Sequence, residues 1–469
     1  MDLEGAKKLI KANISTHAEF VIKAMEAKRY YKNENDILIN GSKTLQKSDI
    51  KKASEKLEDT PMRNADNRIS HNFHGLLVNQ KAAYIFTAPP LFDVGQQEVN
   101  KRITEVLGDK YPKVCKDLCI NASNASVAWL HYWKNNKGEF KYAVVDSEQI
   151  IPVWSSDLEK ELKSVMRVYS RLEEDGNLYK IYEIWTENEC QAFSKLESLT
   201  LDKNLSFYDV INFSVVETSE ESTYRHEMGR VPFIPFFNNN LETSDLKNIK
   251  GLIDTYDKVY SGFSNDLEDI QEIIFILSGY GGTNLKEFLQ DLKKYKTVKL
   301  DADEEKPGLS TLTIDIPVEA REKLLTMTRK EIFEQGQGVD PQPEAFGNKS
   351  GEALKFMYAL LELKAGLLET EFRLGFGEFI RAICRYLNTP CEMITQTWTR
   401  TSIKNDTEIS DICKNSVGIV SNKTILKNHP LVENAEEEEK QLAKEKRELE
   451  EQYTDVFVQR SVGDKVNEE

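Results

Sequence analysis

The sequence predicts an α+β fold in which a block of antiparallel strands is followed by long helices. Residues 125–240 consist of short alternating runs of apolar and polar side chains, each ending in a turn signal such as Asn136-Lys137-Gly138, and this is the pattern of hairpins. Farther on, apolar residues recur at spacings of three and four from Leu246 to Leu277 and again from Leu354 to Leu387, which is the helical period. Strands and helices therefore occupy separate parts of the chain, as in α+β folds.

The N-terminal part, up to about residue 110, is predicted to be mainly helical. One amphipathic pattern covers residues 8–31 and a second covers 68–86, after which Pro89-Pro90 ends the helix because proline lacks the backbone donor. The strand block closes with GRVPFIPFFNN, residues 229–239. Its prolines at 232 and 235 exclude a central position in a sheet.

The apolar stripe from Leu246 to Leu277 predicts one helix of about 32 residues, roughly 48 Å long. Residues 297–317 (TVKLDADEEKPGLSTLTIDIP) then predict two strands around an acidic turn. A second helix is predicted over 318–334 and a third from Ser350 to about residue 387, followed by a strand within 393–400. Two short helical patterns and a charged helix over 435–453 complete the chain.

Composition restricts the class of protein. The chain has 469 residues, 40% hydrophobic and 30% charged, with a formal net charge of −16, so no global positive field draws it to nucleic acid and tight sequence-specific DNA binding is not expected. The N-terminus lacks the apolar core of a signal peptide, and no run reaches the roughly 18 apolar residues of a membrane span, so no membrane location is expected. Six dispersed cysteines without a CxxC pair indicate reduced thiols in a cytoplasm.

Motifs for catalysis are missing, so neither an enzyme nor a cofactor is predicted. No G-x-x-x-x-G-K-[ST] phosphate loop occurs. His226-Glu227 lacks the second histidine of a zinc protease helix, and His71 and His74 have no third ligand nearby in sequence. The acidic run 301–305 lacks the glycine and terminal glutamate of a calcium loop, which leaves no predicted metal site.

Residues 334–356, EQGQGVDPQPEAFGNKSGEALKF, interrupt two helical patterns with glycine, proline and asparagine. Long loops of this kind inside compact domains are usually functional or disordered. We interpret the glycines at 336, 338, 347 and 351 as a source of backbone freedom, and Pro341 and Pro343 as stops for the preceding helix.

Five segments, in order, resemble portal proteins of tailed bacteriophages, in the group typical of siphophages that infect Gram-positive bacteria. NRISHNFHGLLVNQKAAYIFTAPP (67–90) is similar to the family's N-R-I-x-x-N-x-x-x-x-x-V-x-x-K-x-x-Y segment, and GRVPFIPFFNN (229–239) to its G-x-[VI]-P-x-x-x-F-x-N stretch. Residues 246–280 resemble the stem helix with L-I-D-x-Y and N-D. The most specific match is GNKSGEALKFMYALLELKAGLLETEF (347–372), similar to the family's G-N-x-S-G-x-A-L-K-[FY] followed by L-x-x-K-A. Residues 398–438 resemble the C-terminal segment of the family.

The resemblance implies a portal fold with a mixed α/β wing, a long helical stem, a small β-containing clip and a helical crown. It implies these parts along the chain: wing 1–245, first stem helix 246–278, clip 279–317, second stem helix 318–335, tunnel loop 336–350, long wing helix and strand 351–408, and crown with the charged C-terminal helix 409–469.

Three sets of site residues follow from the resemblance. The DNA-facing tunnel loop is expected to present Gly338, Val339, Asp340, Glu344, Asn348 and Lys349. The clip is expected to dock partners through Asp301, Asp303, Glu304, Glu305 and Lys306. The stem is expected to pack through Ile253, Tyr256, Tyr260, Phe263 and Leu267.

The implied function is a ring of about twelve subunits at one capsid vertex, assembled in the bacterial host cytoplasm, through which double-stranded DNA passes without sequence specificity. The implied partners are the terminase large subunit, a head-completion (adaptor) protein, and the major capsid and scaffolding proteins. Three alternatives stay open: a helical structural oligomer without a DNA role, a nucleic-acid enzyme such as a packaging ATPase or nuclease, and a portal-like ring of a defective prophage or tail-like particle.

Overall fold

The computed structural model describes residues 1–39, 65–173, 175–269, 274–278, 308–312, 317–342, 351–400, 406–432 and 435–448. The chain divides into two units. The first comprises residues 1–339 and 360–400, and the second comprises residues 340–359 and 401–469.

The N-terminal region is helical, as the sequence predicts. Its helices are α1 (Leu3–Tyr31), α2 (Asp36–Ile39), α3 (Phe73–Ile85), α4 (Gln97–Leu107) and α5 (Tyr111–Ala125). Side chains cap the starts of two of them: the Asp2 carboxylate accepts the N–H of Gly5, and the Asn72 side chain accepts the N–H of Gly75. Such caps satisfy amide donors that have no partner in the first helical turn.

The strand block forms two antiparallel sheets. Its strands are β2 (Val127–Lys134), β3 (Phe140–Val145), β4 (Ile150–Trp154), β5 (Leu162–Leu172), β6 (Leu178–Trp185), β7 (Glu189–Leu196), β8 (Ser206–Asp209), β9 (Ser214–Val216), β10 (Thr223–Arg225) and β11 (Phe233–Phe237), after a short β1 (Leu91–Asp93), and helix α6 (Leu201–Asn204) lies between β7 and β8. The larger sheet has the order β4-β5-β6-β7-β8-β9 with β10 against β7, and the smaller has the order β11-β2-β3. Strand β11, which contains Pro235, lies at a sheet edge, as its prolines predict.

Between the sheets and residue 400, the described part of the chain contains helices and short strands. These elements are α7 (Lys250–Asp269), β12 (Ile274–Ser278), β13 (Gly308–Leu312), α8 (Val318–Gln335), α9 (Gly351–Tyr386) and β14 (Thr395–Thr397). Strand β14 pairs with β1, and β12 pairs antiparallel with β13. The observed elements confirm an α+β fold.

One long helix over 246–277 was the wrong prediction. Helix α7 ends at Asp269, and residues 274–278 form β12 instead. The run Ile273 to Leu277 consists of β-branched, aromatic and leucine side chains and is followed by a glycine-rich stretch. A short apolar run of this kind fits a buried helix segment or a strand equally well by periodicity, and its β-branched side chains favour the strand.

The main core lies between α9, α4, α5 and the smaller sheet. The predicted apolar face of α9 is buried at Leu361, Ala365, Leu368, Phe372, Phe376, Ile380 and Ile383. Helix α9 approaches β11 so closely that a Cβ on Gly375 would lie 2.6 Å from the Phe236 ring. The glycine is therefore required by packing at this crossing.

Helix α9 also carries a second apolar face that is exposed. Leu360, Leu363, Leu367 and Leu374 are 39%, 56%, 50% and 69% exposed, and they follow the spacing of one helix face. An exposed apolar stripe of this length is typical of a surface that another protein covers.

The second unit contains short helices. They are α10 (Asp406–Asn415), α11 (Asn422–Asn428) and a helix over 435–448, designated α12. The Cys413 thiol contacts the carbonyl of Ile425 at 3.8 Å, which links α10 to α11. All six cysteines are free thiols.

Two buried histidines make the stability of the first unit depend on pH. Burial lowers the pKa of His74 to about 4 and that of His131 to about 3. His74 contacts the Asn124 side chain at 2.8 Å, and His131 is stacked on Phe233 with its Nδ1 2.8 Å from the Pro232 carbonyl. Both rings are therefore neutral in the folded protein at neutral pH.

We expect the free energy of unfolding to fall between pH 6.5 and pH 5. Below about pH 6.5 the unfolded chain binds protons at these histidines while the folded chain does not, so stability is complete above this value and is lost as pH falls. At about 1.4 kcal/mol per pH unit, each histidine costs about 2 kcal/mol by pH 5. Urea unfolding at pH 7.5 and pH 5 measures this loss. His131→Phe should have the smaller pH dependence, and an identical dependence in both proteins would contradict the assignment.

Candidate functional site

Helices α7 and α8 pack against each other, and their side chains are most buried near the start of α7 and the end of α8. Ile253 is fully buried and Tyr256 partly buried against Ile332 and Phe333 of α8. Farther along α7, Arg321 of α8 pairs with Asp266, and its guanidinium lies 5.4 Å from the Phe263 ring.

The five residues predicted to pack the stem differ in their exposure, and their role in packing the stem stays a prediction. Ile253 is buried, and Tyr256 and Phe263 make the contacts given above, whereas Tyr260 is 39% and Leu267 is 48% exposed. The apolar stripe therefore turns outward along the helix: the Tyr260 ring still contacts the His71 ring, with 4.7 Å between their centroids, and Leu267 is left exposed.

An extended segment over residues 66–71 lies along α7 and is bonded to it at every second residue. Three backbone N–H groups donate to three side chains on one face of the helix: Asn67 to Asn265 (2.6 Å), Ile69 to Ser261 (3.0 Å) and His71 to Asp257 (3.0 Å). Two extended residues advance about 6.6 Å, and four helical residues advance about 6 Å, so the two repeats match. This ladder gives a physical role to the N-R-I and N-D motifs.

Asp257 is the best-satisfied member of this ladder. Its side chain is fully buried and also accepts from the Asn35 amide at 2.6 Å and contacts His71 Nδ1 at 2.8 Å. His71 is therefore engaged with a carboxylate and His74 with Asn124, so the two rings serve separate structural contacts.

A buried charged cluster joins α3, the segment between β11 and α7, and α9, and we call it the Asp245 cluster: Lys81, Asn238, Asp245 and Lys364. The Asp245 carboxylate is 2.6 Å from Lys81 Nζ and 3.2 Å from Lys364 Nζ, and it accepts from the Asn238 amide at 2.9 Å. Burial opposes ionisation, but the two lysine charges and Asn238 together hold the pKa of Asp245 well below its usual range. Because there are two cations and one anion, the cluster retains one excess positive charge.

The excess charge is placed at the carboxyl end of α8. Lys364 Nζ donates to the Gly336 carbonyl at 2.8 Å, and Gly336 is the C-cap of α8. The last carbonyls of a helix lack intrahelical partners and carry a partial negative charge, so a cation there is favourable.

Helix α8 ends in a Schellman motif. The N–H of Gly338 donates to the Phe333 carbonyl at 3.0 Å and that of Gln337 to the Glu334 carbonyl at 3.2 Å, which is the 6→1 and 5→2 pattern. Gln337 has a φ of 53°, so the left-handed position of the motif is occupied by glutamine and not by glycine.

The next residues, 336–339, are packed against α3, and we call them the root segment. A Cβ on Gly336 or Gly338 would lie 2.5 or 2.1 Å from the Leu77 side chain. The Gln80 amide donates to the Val339 carbonyl at 2.7 Å and accepts the Val339 N–H at 3.1 Å. Val339 is 5% exposed.

These contacts correct two sequence predictions. The glycines at 336 and 338 permit close approach to Leu77, and the positive φ belongs to Gln337, so they do not act through backbone freedom. Val339 was expected to face DNA with Gly338, but its side chain is buried in the first unit. Exposure begins with the following residues, since Asp340 is half-buried and residues 341–342 are exposed.

The remaining predicted site residues lie outside the described part of the chain. These are Glu344, Asn348 and Lys349 of the loop and Asp301, Asp303, Glu304, Glu305 and Lys306 of the clip.

Substitutions at positions 337 and 338 should have opposite effects on stability. Gln337→Gly removes the cost of a left-handed glutamine and is expected to stabilise the protein by about 1 kcal/mol. Gly338→Ala forces a methyl group onto buried Leu77 and is expected to destabilise it by about 1–3 kcal/mol. Thermal unfolding of both variants beside the wild type checks the two signs, and destabilisation by Gln337→Gly would rule out this reading of the motif.

Sequence reasoning missed the Asp245 cluster, although a signal was present. Lys364 follows Leu361 by three residues and precedes Leu368 by four, so it occupies the apolar face of α9. Lys81 likewise follows Leu77 by four residues on α3. A lysine on a buried face needs a partner, and this spacing alone could have identified both.

Within the described ranges, no group of three or more histidine, cysteine, aspartate or glutamate side chains could hold a metal ion. A search of the same ranges found no helix sufficiently long and apolar to cross a membrane.

Comparison of the chain with known proteins identifies its class. It is a structural component of a phage particle, the portal protein. The model of the family described as phage portal protein, SPP1 Gp6-like, matches residues 10–452. The chain belongs to this family of phage structural proteins, which are located at the capsid vertex of the virion.

Two curated relatives are both portal proteins, and each is similar to this chain over most of its length. The portal protein of Clostridium phage phiCD119 is 44% identical over 461 residues, which is 95% of this chain and 97% of that protein. The portal protein of Bacillus phage SPP1 is 31% identical over 429 residues, 87% of this chain and 81% of that protein. Both hosts fit the predicted group of phages of Gram-positive bacteria.

Solved structures of gene transfer agent particles are similar more distantly. A neck structure with C6 symmetry has a TM-score of 0.45 at 12% identity and covers 76% of this chain and 89% of its own. A neck structure with C12 symmetry has a TM-score of 0.41 at 12% identity, with 80% and 93% covered.

Proposed function

We propose that the chain assembles into a ring of about twelve copies that forms the channel for double-stranded DNA at one capsid vertex. DNA enters the capsid through this ring during packaging and leaves through it during ejection. The observation that carries the proposal is the match of the portal family over residues 10–452.

In this proposal α7 and α8 form the stem, and the antiparallel pair of strands β12 and β13 belongs to the clip. The clip therefore begins before residue 279, because β12 starts at Ile274. Residues 1–245 and the buried part of α9 form the wing, residues 409–469 the crown, and the root segment begins the loop that reaches towards DNA.

Contacts between copies are proposed to use the apolar surfaces that one chain leaves uncovered. The exposed face of α9 and the exposed end of α7, at Tyr260 and Leu267, supply such surfaces. Burial of apolar area is the main favourable contribution to stable association.

The charges on the stem favour sliding over tight binding of DNA. The exposed side chains of α8 include Glu319, Glu322, Glu331 and Glu334 but only the lysines 323 and 330. Proteins that hold DNA release counterions from phosphates through many basic contacts, and an acidic wall avoids this. Lys349 and Asn348 are proposed to make transient backbone contacts, so Lys349→Glu should reduce packaging while rings remain intact.

The acidic residues of the clip, Asp301, Asp303, Glu304 and Glu305 beside Lys306, are proposed to dock the terminase large subunit and later the head-completion protein. The major capsid and scaffolding proteins are proposed to contact the ring during assembly in the host cytoplasm.

Electron microscopy of the purified protein, with native mass spectrometry on the same sample, tests the assembly. We expect rings of about a dozen subunits with an axial hole wide enough for duplex DNA. Filaments, small coiled-coil oligomers or rings without a hole would reject the proposal. Packaging of DNA into particles that lack their own portal, restored by the wild-type chain, tests the DNA role.

A further inference from the structure

The lysine of the L-x-x-K-A motif has a position that general stability does not explain. Lys364 lies on the buried face of α9, and its side chain is 11% exposed. Burial of a lysine is costly unless it is paired and hydrogen bonded, and an apolar residue at this position would complete the stripe of α9 without that cost. A lysine at this buried position therefore indicates that its side chain makes a specific contact.

The contact of Lys364 with Gly336 joins the two chain segments that flank the loop. Lys364 Nζ lies 2.8 Å from the Gly336 carbonyl and 3.2 Å from the Asp245 carboxylate. Gly336 is the C-cap at which the chain leaves α8, and Lys364 is on α9, the next helix that the structure describes. One side chain thus ties the departure point of the loop to the returning helix and to the residue just before the first stem helix.

A second contact fixes the direction in which the chain leaves. Gln80 binds both the N–H and the carbonyl of Val339, as a neighbouring strand would. Leu77, one turn earlier on α3, packs against Gly336 and Gly338. The root segment is therefore held on one side by α3 and on the other by Lys364.

We propose that Lys364 and Gln80 are positioning residues that set the point and direction from which the DNA-facing loop leaves the wing. Lys364 holds the carboxyl end of α8 against α9, and Gln80 holds Val339 against α3. This inference rests on the proposed portal function, because the position of the loop matters for function only if DNA passes it.

The test separates the position of the root segment from the stability of the chain. In assembled rings of Lys364→Met, the amide hydrogens of Gly338 and Val339 should exchange at least about tenfold faster, since a hydrogen bond to a charged group is lost. Amides in the core of α9 over 372–383 should exchange as in the wild type. The same rings should package less DNA into portal-deficient particles.

Lys330→Met is the matched control, because Lys330 is an exposed lysine of α8, with 74% of its side chain accessible. We expect wild-type exchange and wild-type packaging from it. Lys364→Arg keeps the charge and the donors, and it should restore packaging relative to Lys364→Met. Gln80→Ala does not change the Asp245 cluster and removes only the two hydrogen bonds to Val339. If Lys364→Met does not assemble, the same two measurements on Gln80→Ala test the inference.

Two outcomes would overturn the inference. Unchanged exchange at Gly338 and Val339 in folded rings would show that these side chains do not hold the root segment. Faster exchange with packaging equal to that of Lys330→Met would show that the position of the root has no role. Failure of wild-type rings to support packaging would instead reject the proposed function, and the exchange measurement would still decide whether the two residues act as anchors.

Discussion

Asp245→Ala is expected to cost about 3–5 kcal/mol of unfolding free energy, because removal of one member of a buried ion pair leaves uncompensated charge. Lys81, which is 1% exposed, and Lys364 would both lose their counter-ion. The Asn238 amide would also lose one of its two acceptors and keep only the Thr243 carbonyl. Urea unfolding followed by circular dichroism measures the loss.

The matched control for this prediction is Asp266→Ala. Asp266 pairs with Arg321 but is 38% exposed, and pairs of this kind contribute up to about 1 kcal/mol. The wild type should have a higher unfolding free energy than Asp245→Ala above the ordinary aspartate pKa of 3.8. This difference should shrink as pH falls below 3.8, because Asp245 binds a proton in the unfolded chain before it does so in the folded chain. Equal losses from the two substitutions would show that the Asp245 cluster is not a buried charge network.

Phe376→Ala is the second large effect that we expect, with a loss of about 3–5 kcal/mol from the cavity that it leaves. Phe376 is fully buried in α9. Its ring centroid lies between 5.0 and 6.5 Å from those of six other aromatic rings: Phe86, Phe92, Tyr111, Phe236, Phe372 and Trp398. Rings from α3, β1, α5, β11 and α9 meet there, so the cavity opens at the centre of the main core.

Phe213→Ala provides the comparison for this core substitution. Phe213 is 44% exposed and stacks under the Arg171 guanidinium at 3.7 Å, so its truncation should cost about 1 kcal/mol or less. Guanidinium unfolding of the two variants gives the difference. A Phe376→Ala protein as stable as Phe213→Ala would mean that the core around α9 closes over the missing ring.

The sequence predicted the long periodic elements well. Helices α8 and α9 begin and end within about two residues of their predicted bounds, because a helical period over many turns leaves little ambiguity. The edge position of β11 also followed from its prolines. The segment 274–278 was predicted wrongly because four apolar residues and a serine contain too few repeats to distinguish a strand from a helix.

The location of the loop could be predicted from its glycines and prolines, but its attachment could not. Gly338 and Val339 look like loop residues in sequence, and only the approach of Leu77 and Gln80 from α3 shows that they are buried. Those partners lie more than 250 residues away in the chain. The clip and loop residues that the structure does not describe stay predictions.

The ladder between segment 66–71 and α7 couples the lengths of two distant parts of the chain. Its three hydrogen bonds coincide because the steps of an extended strand and of a helical turn are almost equal. One residue inserted or deleted in either partner would shift every later rung at once and would turn the strand's amides away from the helix. Substitutions can accumulate singly along this contact, but changes in length must occur in both partners together or not at all.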